Sequence, residues 1–458
     1  MRGQARLSNL TWWYGYGVSL LFALVVGALA AGSADVLYAP SALVVLAGVL
    51  VCLARPVWGV YLTVALAVLG DASLFPRYPI TKNFSSAESL LYISDELTLS
   101  PLDLFIVSLL VGWILQMLAT RTWHVYRGPL LAPLAVMTAF VVLGVMWGVG
   151  RSGSPLVAYW EVRPLLYVPA LFLLVTNLLD RRRQYRALLW MIVVVVTINA
   201  LGALWEYQAL TTLEREALES LGEHGAAVHW SAVIVFAVAT LLFRHRGLSG
   251  QWILLLFSIP VAWALMLSVR RAGMVALFAG LGLVLVVLSW HHRLRFAVVF
   301  PLVVVVAAGW LVAFWNSTGP LALPADAVKA VFVPGQQNAK DQASDFYRTI
   351  EEFNIISTIR ANPVMGVGFG QPFYVVAPMP DISFFPFWQY ITHNSILWVW
   401  MKAGVGGFVA MFVVFAMALR NGARAVREST DGAWTVVTTT SVAYVMMFAV
   451  FAYVDIAW

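Results

Sequence analysis

A chain with one cysteine, Cys52, closes no disulfide within itself and builds no cysteine-rich metal site. Set in an apolar run, Cys52 reads as buried packing. Charge is nearly as scarce: Asp, Glu, Lys and Arg make up 11% of the 458 residues against 61% hydrophobic types, which excludes an ordinary soluble domain. No P-loop, zinc motif or nucleophile elbow occurs, so no cofactor is expected and the energy for any reaction has to arrive in the substrate. The few histidines build no ligand set. His224 and His229 stand five apart where a helix face needs four, and His291 and His292 fall among arginines. Asp95-Glu96 and Asp341/Asp345 lack the compact, acid-rich spacing of a calcium loop, so no metal is expected.

What the chain has in abundance is apolar length. Runs at about 13–31, 38–54, 57–70, 101–119, 129–149, 164–179, 187–205, 231–243, 251–268, 272–290, 296–315, 391–419 and 433–454 predict an all-α polytopic membrane protein of about 12–13 transmembrane helices. The first run follows Arg2 and Arg6 and continues through Leu29 with no small-residue cleavage site, so it reads as a retained span. The expected organisation is an N-terminal bundle of about 11 spans over 1–315, a large loop over 316–390 and C-terminal helices over 391–458. With the N-terminus inside, the inner loops collect Arg2, Arg6, Arg55, Arg121, Arg127, Arg181, Arg182, Arg183, Arg186, Arg244, Arg246, Arg293, Arg295, Arg420, Arg424 and Arg427. The acids beside them are only Asp180, Glu428 and Asp431. That asymmetry obeys the positive-inside rule, so the net charge of +6 reflects orientation and gives no support to nucleic-acid binding.

Three outer segments exceed simple turns. Residues 71–100 form a mixed polar loop, and 206–230 carry the charged stretch TLEREALESLGEH, a short surface helix. In the third, 316–390, Phe346, Ile350, Phe353, Ile356 and Ile359 recur at three and four residues and predict an amphipathic helix that Pro363 and the glycines at 366, 368 and 370 end. That glycine run follows no strand, so it reads as a tight turn packed close to the membrane and not as a nucleotide loop.

Basic residues on the outer side break the orientation rule and are therefore informative. Arg270 and Arg271 join two apolar runs almost without a linker; as one helix, 252–289 would extend about 57 Å against a hydrocarbon core of about 30 Å, so the chain must break there. No acid lies nearby in sequence, and forked guanidiniums suit a phosphate or diphosphate. Arg163 opens another span, with Glu161 as its neighbouring partner. Arg348 and Arg360 flank the amphipathic helix on roughly one side, Arg348 with Glu351 and Glu352 at helical distance. Where the large loop returns to the membrane, in ITHNSILWVWMKAGVGG over 391–407, His393 is placed to take or give a proton near neutral pH.

Three segments, in chain order, resemble a known family. SVRRAGM at 268–274 is similar to an S-x-R-x-G helix start, and NPVMGVGFG at 362–370 to a loop signature. His393-Asn394, followed after nine residues by Gly404-Val405-Gly406-Gly407, is similar to the pattern H-[N/S/Q]-x9-G-x-x-G. These belong to the superfamily of O-antigen ligases and polymerases. The chain departs from the ligases' arginine-x3-leucine element at Arg163, where Tyr167 stands in the leucine's place. The resemblance implies a class C-like glycosyltransferase fold in the bacterial inner membrane. It also implies transfer of a glycan from undecaprenyl diphosphate to an acceptor hydroxyl, lipid A–core or similar, at the periplasmic face, with inversion and without metal. On that reading His393 is the general base, and Arg270 or Arg271 is the principal diphosphate ligand. Arg163, Arg348 and Arg360 are supporting donors, and Asn394 and Glu161 support the site. A polymerase with a carrier-linked acceptor is the alternative. A bicarbonate or other solute transporter is a third, disfavoured by the lack of an inverted repeat and the scarcity of charge inside spans.

Overall fold

The computed structural model describes residues 38–70, 82–87, 89, 91–217, 221–243, 251–333, 335, 339–380 and 387–456. The expected span at 13–31, the arginines 2, 6, 244 and 246, and parts of the 71–100 and 206–230 segments lie outside the described residues. Among those described there is no strand. The helices are α1 (Tyr38–Ala54), α2 (Pro56–Leu69), α3 (Pro101–Thr120), α4 (Leu131–Gly150), α5 (Pro155–Leu178), α6 (Arg182–Ala209), α7 (Thr212–Ala217), α8 (Ala226–Phe243), α9 (Gln251–Leu267), α10 (Arg271–His291), α11 (Arg293–Phe314), α12 (Leu323–Phe332), α13 (Ala339–Ala361), α14 (Ser395–Glu428) and α15 (Gly432–Val454). Among the described residues nine of these are long and apolar enough to cross a membrane, and α1, α2 and α9 are shorter apolar helices. The protein is a polytopic, all-α membrane protein.

Chain contacts divide it into two compact units, one of Met1–Tyr126 with Ala170–Val195 and one of Arg127–Pro169 with Val196–Trp458. In the first, α1, α2 and α3 pack on one another around Cys52 and Leu109, both fully buried. Small residues set the approach: a Cβ at Gly59 or Gly112 would collide with the backbone of Cys52. Ser100 and Asp103 cap α3 reciprocally, with Pro101 at its first position.

In the second unit α10 packs against α8 and α15, and α14 against α4 and α15. The polypeptide does break before the arginine pair. It leaves α9 at Leu267, passes through Val269 in the left-handed region (φ 59°) and enters α10 at Arg271. A β-branched residue there is strained by roughly 1–3 kcal/mol, so the turn is held by its surroundings. The Ser268 hydroxyl accepts from the Arg270 N–H, and Leu221 N–H donates to the Ser268 carbonyl. Gly273 lets the start of α10 approach α8 so closely that a Cβ would strike that of Ala227.

Candidate active site

The His393 turn is built by its own neighbours. The Asn394 side chain caps α14 by accepting from Leu397 N–H (3.1 Å), Thr392 Oγ1 donates to the Asn394 carbonyl (3.2 Å), and Trp398 Nε1 donates to the Tyr390 carbonyl (2.8 Å). Glu351 of α13, buried at 2% exposure, then fixes the histidine. Its carboxylate accepts the His393 backbone N–H at 2.9 Å and faces Nδ1 at 3.1 Å. A carboxylate can only accept, so Nδ1 carries the hydrogen and Nε2 of the neutral ring keeps its lone pair. One turn earlier on the same face, Tyr347 meets the His393 ring edge-on with centroids 5.7 Å apart. Asn394 Nδ2 donates to Glu352 at 3.3 Å.

The arginine pair lacks acids in its local sequence but not in space. Arg270 donates to Asp455 at 3.1 Å, a residue just past the end of α15, and Arg271 makes a forked pair with Asp345 at 2.7 and 3.2 Å, with Asp341 at 3.8 Å. Asp455 also meets His224 Nδ1 at 2.9 Å, and the His224 ring lies 6.5 Å from that of His393. Arg270, Asp455, His224, His393, Glu351 and Tyr347 thus form one continuous cluster at one end of the second unit. Burial alone would raise the Asp455 carboxyl. The hydrogen bond from His224 and the charges of Arg270, His224 and Arg348 more than offset it, holding the group well below the usual carboxylate range.

The glycine loop lies behind this cluster. Gly366, Gly368 and Gly370 all have positive φ, and Gly404 interrupts α14 with φ 69°. The carbonyl freed at that interruption and one on α4 accept from the loop: Val367 N–H donates to Met401 (2.8 Å) and Phe369 N–H to Gly144 (3.1 Å). A Cβ at Gly368 would collide with Gly148, and one at Gly404 with the Val364 carbonyl. The expected tight turn is therefore an insert that locks α14 to α4.

Gly370 N–H donates to Glu161 at 2.6 Å, and Glu161 pairs with Lys402 at 2.7 Å, both side chains fully buried. Arg163, the expected partner of Glu161, lines with it a pocket of about 70 Å³ that Trp160, Thr392, Ser395 and Trp398 also bound, directly beside the His393 turn. Lys402 also reaches the Gln371 carbonyl and lies over the Tyr390 ring.

The remaining expected residues separate. Arg348 is half-buried, its Nε has no hydrogen-bond partner among the described residues, and it lies close enough to act on Asp455. Its expected partners Glu351 and Glu352 serve His393 and Asn394 instead. Arg360 is exposed near the far end of α13. Twelve residues at about 3.6 per turn leave a third of a turn between the two arginines, so they do not share a side.

Sequence reasoning missed Glu351, Asp455, His224 and Tyr347. Asp455 carried a signal, a lone acid in the apolar end YVDIAW, where charge is expensive. Glu351 carried none, standing beside Glu352 in a helix rich in charge.

Residues 253–412, from α9 into α14, match the sequence model of a family described as O-antigen ligase. No curated protein matches the chain. The family match takes in Arg270, Arg271, Glu351 and His393, while His224, Glu161, Arg163 and Asp455 lie outside it.

Proposed function

We propose, from the premise that this chain is a member of the O-antigen ligase superfamily, that it transfers a glycan from undecaprenyl diphosphate to an acceptor hydroxyl, lipid A–core or similar. The reaction takes place at the periplasmic face of the bacterial inner membrane. The observation that carries this reading is His393, tied at Nδ1 to Glu351 and set in the same cluster as Arg270. A hydroxyl attacks poorly until a base takes its proton, and Nε2 of the neutral ring is free to accept it. As the acceptor oxygen bonds to the anomeric carbon, the bond from that carbon to the diphosphate oxygen breaks, and the diphosphate leaves with the electron pair. A single displacement of this kind inverts the anomeric centre.

The leaving charge falls to the guanidiniums. Arg270 and Arg271 are held by Asp455 and by Asp345 with Asp341, so they need little reorganisation to receive an anion. Arg270 adjoins the histidines and is the principal ligand in this proposal. Arg271 is the second, Arg163 and Arg348 are supporting donors beside the His393 turn and Asp455, and Arg360 supports from the outer end of α13. Glu161 and Asn394 support indirectly, through the glycine loop and the cap of α14.

Purified protein in vesicles, given a carrier-linked glycan and lipid A–core, is expected to yield a glycan-bearing lipid A–core. His393→Ala is expected to abolish that product while carrier-lipid binding persists. A ladder of longer glycans without added lipid A–core would identify a polymerase instead, and wild-type turnover by His393→Ala would remove the base from the mechanism.

A further inference from the structure

We propose that His224 is a second functional imidazole of this site, one that binds a hydroxyl of the acceptor, and that Asp455 is its positioning residue. The inference rests on the glycan-transfer reading above and concerns two residues outside the family match.

His224 lies just before α8, in a turn that Gly222 opens with φ 71°. The polar contacts of its ring run through Nδ1, to Asp455 Oδ1 at 2.9 Å and to an Arg270 guanidinium nitrogen at 2.8 Å. Arg270 has its own acceptor in Asp455 Oδ2 at 3.1 Å. Asp455 can only accept and the Arg270 guanidinium can only donate, so Nδ1 is engaged on both sides and Nε2 is the ring nitrogen left for a ligand. The side chain is 41% exposed while that of Asp455 is 2% exposed, so the carboxylate end is anchored and the opposite edge is open. As at His393, a buried carboxylate from another part of the chain faces Nδ1.

The surroundings keep the ring neutral. Burial disfavours its charged form most, and Arg270 and His393 disfavour it further, against the opposing pull of Asp455. Arg348 of α13 acts on Asp455 from the other side. A sugar hydroxyl both donates and accepts, so it suits Nε2 of the neutral ring in either tautomer, whereas a diphosphate offers only acceptor oxygens and suits one of them. With ring centres 6.5 Å apart, two hydrogen bonds of about 2.8 Å each let His393 and His224 hold neighbouring hydroxyls of one sugar. His393 takes the proton of the attacking hydroxyl, and His224 holds the sugar in register. Asp455 is also tied to the His393 helix, since Ser395 Oγ donates to its carbonyl at 3.1 Å. The end of α15 thereby links both histidines to Arg270.

The test uses the full-length chain in vesicles with a carrier-linked glycan at fixed concentration and lipid A–core titrated, then the converse. His224→Asn, which removes Nε2, is expected to raise the KM for lipid A–core about tenfold, the worth of one hydrogen bond, with the donor KM within about twofold. His224→Gln places an amide oxygen near the lost nitrogen and is expected to recover most of the effect. Asp455→Asn is expected to raise the lipid A–core KM as His224→Asn does and, because Asp455 also holds Arg270, to raise the donor KM as well, with Asp455→Glu recovering part of both. If Asp455→Asn fails to fold, the two His224 variants decide the matter. An unchanged acceptor KM in His224→Asn, or a rise confined to the donor KM, overturns the inference while the transferase reading stands. Absence of transfer by the wild-type chain overturns both.

Discussion

Glu351→Gln offers the sharpest test of how the base is prepared. The substitution keeps shape and removes charge at a group that accepts both the His393 backbone N–H at 2.9 Å and, across 3.1 Å, the hydrogen on Nδ1. A glutamine has one acceptor oxygen. If that oxygen stays with the backbone N–H, its NH2 faces Nδ1 and donates, which moves the imidazole hydrogen to Nε2 and leaves no lone pair for the acceptor hydroxyl. A hydrogen bond to a charged group contributes about 1.5–3 kcal/mol, and about 1.4 kcal/mol is a factor of ten in rate. General-base catalysis as a whole contributes about 10²–10⁴-fold, so kcat is expected to fall about a hundredfold while the donor KM stays near wild type. Steady-state transfer in vesicles reads the rate, and nitrogen NMR on labelled histidine reads the tautomer. Because both residues act through one nitrogen, Glu351→Gln/His393→Ala should lose no more than His393→Ala alone. A kcat within about threefold of wild type, or a double variant that adds two full losses, would refute the dyad.

Lys402→Met leaves the fully buried Glu161 carboxylate without its cation and is expected to cost about 3–5 kcal/mol by thermal unfolding in detergent, whereas Glu161→Gln/Lys402→Met recovers most of that loss. Gly368→Ala combines a Cβ collision at Gly148 with a left-handed backbone. It is expected to destabilise by at least about 2 kcal/mol, read as lowered melting temperature and lost activity. Asp455 titrates lower in the folded chain than in the unfolded one. Its contribution is therefore complete above the unfolded value of about 3.9 and is lost only as pH falls through the depressed folded value. Asp455→Asn should melt below wild type at pH 7, with a gap that stays constant down to about pH 5 and closes in stronger acid. A gap that closes between pH 7 and pH 5 would assign the stabilisation to another group.

The helical runs were legible because about 20 apolar residues in succession have few other fates, and the break before Arg271 because one helix of that length does not fit a bilayer. The glycine turn was also legible in kind, but its role was not, since nothing local says that Met401 and Gly144 carbonyls await its N–H groups. Helix α13 marks the limit of periodicity. Its apolar residues Phe346 and Phe353 are 64% and 51% exposed, while Glu351, Asn354 and Thr358 are buried among its contacts. Asn354 accepts from Val376 and Ala377 N–H, and Thr358 from Tyr374 N–H, so the inward face mixes buried Ile355 and Ile359 with polar groups that satisfy loop backbone.

By itself, then, the sequence determined an all-helical membrane chain with a histidine at the entrance to α14 and an arginine pair at the head of α10, because hydropathy and helix length are local properties. Only the tertiary structure decided the partners: Glu351 for His393 across 42 residues, Asp345 for Arg271 across 74, and Asp455 for Arg270 across 185. In lipid an outward-facing residue is as apolar as a buried one, so the pattern does not show which face turns inward. A charge taken out of water must find a counter-charge wherever packing brings one, and no periodicity along the chain records that meeting.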